Sequence, residues 1–156
     1  MTARVQTEDF DLTTEVATLR ANNPKVGAVA AFVGTVRDLH DGKEVTAMEL
    51  EHYPGMTQQS LEAIIIEAKQ RWNFFDAQVI HRVGPLKPMD QIVLVAVAAM
   101  HRREAFAACE FMMDYLKTAA PLWKKEQTSD GARWVDARDS DDTAMARWNE
   151  NGGKAK

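Results

Sequence analysis

The chain carries a single cysteine, Cys109, so it cannot close an internal disulfide, and that usage suits a reducing compartment. Long apolar runs are missing. Nothing approaches the length of a membrane span, and the opening stretch MTARVQTEDFDLTTEV has no apolar core of a secretory leader. A basic excess is also missing: 19 Lys and Arg stand against 23 Asp and Glu, a net charge of −4. That balance argues against a general nucleic-acid or anionic-membrane binder, though it leaves room for a local basic pocket. The histidines, His40, His52, His81 and His101, show neither HxxxH nor HExxH spacing, and one thiol cannot build a thiolate metal site. No metal and no cofactor are therefore expected. GxSxG, Walker and GxGxxG motifs are absent, as are internal repeats and low-complexity blocks. The expectation is a soluble, cytoplasmic protein.

What is there is ordinary globular material. With 156 residues, 46% apolar and 27% charged, the chain can form one domain with a real core. Residues 8–21 read as a short helix with Phe10, Leu12, Val16 and Leu19 on its apolar side, stopped at Asn22-Asn23-Pro24. VGAVAAFVGTVR (26–37) is β-rich and uncharged until Arg37, which predicts a strand covered on both faces. A turn through Asp41-Gly42 leads to a second strand, VTAMELEHY (45–53), so a hairpin is the expected unit. After Pro54-Gly55, Leu61, Ile64, Ile65, Ala68 and Trp72 make one helical stripe, with Thr57 as N-cap and Met56 and Leu61 as a hydrophobic staple. AQVIHRVG (77–84) and QIVLVAVAAM (91–100) are strands, and a long helix covers Arg102 to Thr118. Past Pro121 the patterning shortens, with a strand at RWVDAR (133–138) and a frayed tail ending NGGKAK. This order predicts an α+β fold with a largely antiparallel sheet.

Basic groups collect at element ends: Arg37, His101-Arg102-Arg103, Lys117, Lys124-Lys125, Arg133 and Arg138. Converging arginines and lysines in an acidic protein would suit a small anionic substrate; scattered, they are solubilising charges at loop ends. On the long helix, Ala105, Cys109, Met112, Met113 and Leu116 form the apolar arc, and Lys117 falls at its border. A border lysine there is favourable with the helix dipole and needs no function, yet it could also reach into a cleft. Spacing leaves both readings open. Cys109, mid-arc, reads as a buried inert thiol.

Six stretches read in order change the odds: FVGTVRD (32–38), LEHYPGM (50–56), IHRVGPL (80–86), AMHRREAF (99–106), MDYLKTAAPLWKKE (113–126) and RWVDAR (133–138). Together they resemble the large, catalytic subunit of molybdopterin synthase over residues 26 to 142. The resemblance implies an α/β hammerhead-type core with an additional antiparallel β subdomain. It divides the chain into an N-terminal helical segment (1–25), the catalytic-subunit domain (26–142) and a flexible C-terminal tail (143–156). It also implies a sulfurtransferase of molybdenum cofactor biosynthesis. Such an enzyme moves sulfur from the C-terminal Gly-Gly thiocarboxylate of a small ubiquitin-like subunit to cyclic pyranopterin monophosphate, forming the molybdopterin dithiolene. The implied assembly is a homodimer with a small subunit at each end, a heterotetramer.

The site residues carried over by the resemblance are Lys117 and Lys124 as catalytic lysines. Thr35, Val36, Arg37, His101, Arg102, Lys125, Glu126 and Arg138, with the two lysines, contact substrate; Phe32 and Met113 line the pocket. The cyclic phosphate, an anion, would be held by Arg37, His101, Arg102 and Arg138 through charge-assisted hydrogen bonds. Lys117 would serve proton transfer, and Lys124 would stabilise charge developing as the phosphate ring opens. Gly152-Gly153 is not a donor tail, since three residues follow it. Two rivals stay open: a module that docks a ubiquitin-like protein without chemistry, and an enzyme acting on another phosphorylated pterin or nucleotide.

Overall fold

A computed structural model describes residues 1–40, 42–135 and 139–150, with only the backbone course for 39, 40, 43, 139–142 and 150. Arg138 and the Gly152-Gly153 pair lie outside the described residues. The elements are β1 (Thr2–Gln6), α1 (Leu12–Arg20), β2 (Ala28–Thr35), β3 (Leu39–His40), β4 (Lys43–His52), α2 (Met56–Arg71), β5 (Asp76–Arg82), β6 (Gly84–Leu86), β7 (Gln91–Ala99), α3 (Arg102–Ala119), β8 (Leu122–Thr128), β9 (Gly131–Val135) and α4 (Asp139–Glu150). They make two sheets. The first runs β1-β5-β7-β2; the second is built on β4, with β6 and β8 flanking its Met48–Leu50 stretch and β9 beyond β8. The β1–β5 pair is parallel, and the other described pairs are antiparallel. This is the α/β hammerhead-type core with an added antiparallel β subdomain.

Side-chain alternation explains the uninterrupted apolar run of β7. Val93, Val95, Val97 and Ala99 face α2 and α3, where they join Leu61, Ile64, Ile65, Ala68, Phe111 and Met112 in the main core. Leu94, Ala96 and Ala98 point the other way, against Phe10 and Leu19. A strand covered on both faces gains nothing from alternating polar residues. The predicted α2 stripe is the buried one, with Leu61 and Ala68 fully enclosed. α3 runs 18 residues with no glycine or proline inside it. It stops because Pro121 forces Ala120 into extended backbone (φ −81°, ψ 134°).

Several expectations need correcting. The hairpin between 26–37 and 45–53 does not form: β2 pairs with β7, and β4 belongs to the second sheet. What surrounds Gly42 is only the short β3–β4 pairing, Leu39 with Glu44 and His40 with Lys43. β2 is an edge strand covered only in part on its two faces: Ala30 joins the main core, Val29 and Val33 pack partly on the other side, and Phe32 stays 41% exposed. The first 25 residues are not simply helical. Thr2–Gln6 adds a strand whose short, polar sequence gives no clear alternation but whose backbone pairs with β5, and α1 starts only at Leu12, capped by Asp11.

Thr57 is not an N-cap. Gly55, at φ 81°, takes that place, and α2 begins at Met56, which puts the Met56–Leu61 staple out of register. β8 was not anticipated, because LWKKEQT has too few apolar residues to signal a strand. The tail reading fails for residues 143–150, which belong to α4. Its Trp148 lies edge-on to Trp72 and Phe111, with ring centroids 5.4 and 5.5 Å away. Among the described residues no helix is long and apolar enough to cross a membrane.

Candidate active site

The site grows from one end of the first sheet. Register places Val5, His81, Val93 and Gly34 in a row across β1, β5, β7 and β2, all on the α2/α3 face. Gly34 is needed there. A Cβ would come within 2.8 Å of Val93 Cγ1 and 3.4 Å of the Phe32 ring, so the glycine leaves room for the Val93 side chain with the ring alongside. Antiparallel to β7 and packed over this face, α3 brings its C-terminal end to the same row. The Cys109 thiol touches the Val95 carbonyl at 3.5 Å, and Met113, Leu116 and Lys117 continue toward the Gln91 end. Met113 and Leu116 are buried; Lys117 is exposed.

Lys124 arrives from the second sheet. In β8, Lys124, Glu126 and Thr128 share the inner face, while Trp123, Lys125 and Gln127 alternate outward. Lys124 lies opposite Leu50, whose other neighbour is Gly84, three residues beyond His81. The chain thus passes from the first sheet to the second between His81 and Gly84, and that crossing joins the two halves of the site.

His81 records the convergence. It is 5% exposed, and its Nδ1 lies 2.8 Å from the Arg82 carbonyl oxygen, so the neutral ring carries its proton on Nδ1. Burial pushes its pKa down to about 4, and the positive charges of Lys117 and Lys124 push the same way against the Arg82 hydrogen bond. Both lysines therefore stand within electrostatic range of one imidazole.

The remaining residues divide. Arg37 is exposed, just past the point where Val36 exchanges backbone bonds with Asp90 and Met89, both 2.9 Å, and so lies at the Lys117 end. Thr35 is exposed at the end of β2, and Val36 is buried. Glu126 is 2% exposed, on the inner face with Lys124 and in register with Arg133. Lys125 is on the outer face, its ammonium 5.7 Å from the Trp134 ring centroid. His101 and Arg102 begin α3, so ~22 Å of helix separates them from Lys117. One chain does not bring them to the lysines. Cys109, as expected, is buried, and desolvation raises its pKa to about 11. His81 carries no sequence signal of a site: a lone histidine in a strand gives no sign of the lysines that α3 and β8 bring within its electrostatic range.

Cationic side chains from a helix end and from a neighbouring sheet, both within electrostatic range of buried His81, make this an α+β protein with a site suited to a small anion. The model of one such family, described as MoaE protein, matches residues 5–119, and the chain belongs to that family. It is similar to the molybdopterin synthase catalytic subunit of Ralstonia nicotianae, 67% identical over 147 residues, covering 94% of this chain and 84% of the relative. The Pseudomonas aeruginosa protein of the same description is 53% identical over 150 residues, covering 96% and 100%. Among solved structures, a molybdopterin biosynthesis MoaE protein from Burkholderia ambifaria superposes with a TM-score of 0.82 at 65% identity, covering 95% of this chain and 97% of that one.

Proposed function

We propose that this chain is the catalytic subunit of molybdopterin synthase, a sulfurtransferase of molybdenum cofactor biosynthesis working in the cytoplasm. Its substrate is cyclic pyranopterin monophosphate. Its partner is the small ubiquitin-like sulfur carrier, whose C-terminal thiocarboxylate supplies sulfur for the dithiolene. What supports this reading is the family match over residues 5–119, with Lys117 at the C-terminal end of α3 and Lys124 on the inner face of β8, both within electrostatic range of His81.

The thiocarboxylate sulfur forms a C–S bond to a pterin side-chain carbon as that carbon's C–O bond to the cyclic phosphate breaks, and a second carrier's sulfur replaces the oxygen on the neighbouring carbon, which leaves as water; each carrier is then joined to substrate through its acyl group. Water then attacks the acyl carbon, the acyl C–S bond breaks, and the carrier departs as a carboxylate. On this reading Lys117 serves proton transfer in these steps. Lys124 stabilises the charge that develops as the cyclic phosphate opens. Arg37 holds the phosphate, with Phe32 and Met113 as the apolar wall and Thr35, Glu126 and Arg138 as further substrate contacts; Lys125, on the outer face of β8, and buried Val36 do not face the lysines of their own copy.

The distance from Lys117 to His101 and Arg102 supports a homodimer in which the second copy supplies that pair, and with two carriers a heterotetramer. The test mixes the protein with thiocarboxylated carrier and cyclic pyranopterin monophosphate and follows dithiolene product by mass spectrometry. Wild type forms product. Lys117→Ala, folded by circular dichroism, loses about 100- to 10,000-fold in rate, the scale of a removed proton-transfer group. Carrier binding with no product from wild type would favour the docking-module reading.

A further inference from the structure

Thr57 carries a connection that the lysine chemistry does not explain. The residue is fully buried in the first turn of α2. Its Oγ1 accepts the Tyr53 backbone N–H at 3.0 Å and donates to the Pro121 carbonyl oxygen at 2.8 Å, 64 residues further along the chain. A hydroxyl has one proton, and the two partners fix its direction: Tyr53 can only donate and Pro121 can only accept. Pro121 has no N–H, so this carbonyl is the only hydrogen-bonding group it can offer to hold the turn in place.

The position of that turn matters. Pro121 stands four residues after Lys117 and three before Lys124, between the end of α3 and the start of β8. Its own backbone closure is the Leu122 N–H to the Ala120 carbonyl, 2.9 Å. The Thr57 hydroxyl ties it from outside to two further segments: Tyr53, which follows β4, and α2. β4 in turn pairs His52 with Leu122, so the hydroxyl and the sheet hold the turn from two sides. We propose that Thr57 is a positioning residue for sulfur transfer, fixing the placement of Lys117 relative to Lys124 through its bond to Pro121. This role rests on the synthase reading of the site.

The test measures kcat, KM for cyclic pyranopterin monophosphate and carrier affinity for wild type, Thr57→Ser, Thr57→Val and Thr57→Ala, well below the lowest melting temperature. Thr57→Ser keeps the hydroxyl and should stay within about threefold of wild-type kcat. Thr57→Val keeps the shape without the hydroxyl, and Thr57→Ala adds no bulk. Both should fall about 10- to 100-fold in kcat with carrier affinity unchanged, the scale of reacting groups misplaced by ~1 Å. If Thr57→Val does not fold, Thr57→Ala decides. Wild-type kcat in either folded variant, a serine variant as poor as the alanine one, or failure of both Val and Ala to fold would each overturn the positioning role. No product from wild type would instead sink the synthase reading itself, and this role with it.

Discussion

At the scale of single residues, burial decides which groups respond to pH. His81 is held neutral in the fold down to about pH 4, whereas an unfolded histidine takes up its proton near 6.5. Above 6.5 both states are neutral and the residue contributes no pH dependence. As pH falls from 6.5 to 4 the unfolded state binds the extra proton, so stability is lost across that window, by about 3 kcal/mol in total. Urea unfolding of wild type and His81→Gln at a series of pH values should show a shallower acid decline in the variant. Equal declines would contradict the account. Cys109 gives a second check. With its thiol buried and its pKa raised to about 11, it should resist alkylation at pH 8 in the folded protein and react once unfolded.

At the scale of elements, legibility followed apolar pattern. α2 and α3 could be read because their stripes have helical period and their ends carry Gly55 and Pro121; β5 and β7 could be read because burial on one or both faces leaves them rich in valine and alanine. β1, β8 and α4 could not. β8 buries its inner face with Lys124, Glu126 and Thr128, side chains whose polarity serves the site and conceals the strand. In α4 the packing surface comes down largely to Trp148, which the surrounding charges obscure. Its indole N–H donates to the Asp114 carboxylate, which also accepts from Arg147 at 3.1 Å. Trp148→Ala should cost about 2–4 kcal/mol by urea unfolding, from lost ring contacts and an abandoned hydrogen bond. A change under about 0.5 kcal/mol, typical of an indifferent surface position, would show that α4 adds nothing to the core.

At the scale of the whole molecule, the site depends on a topology that no local pattern announces. The hairpin expected from adjacent strands is replaced by two sheets, because β2 finds its partner in β7, 56 to 71 residues on, and β4 finds its partner in β8. Only that long-range pairing brings Lys124 within electrostatic range of His81, as α3 does Lys117. The motifs named the lysines; the crossing from β5 to β6 links the strand that carries His81 to the sheet that carries Lys124. His101 and Arg102 stay apart from the lysines, since they start the helix that Lys117 ends. The central claim is a sulfur-transfer site with its lysines from one copy and its His101–Arg102 pair from another, and subunit mixing tests it most directly. Lys117→Ala and Arg102→Ala, each inactive alone, are mixed, allowed to exchange subunits and assayed for dithiolene product with thiocarboxylated carrier. Mixed dimers then hold one intact site and one doubly altered site, so activity should return to about a quarter of wild type. No recovery above either parent, in dimers shown to have exchanged, would contradict the account.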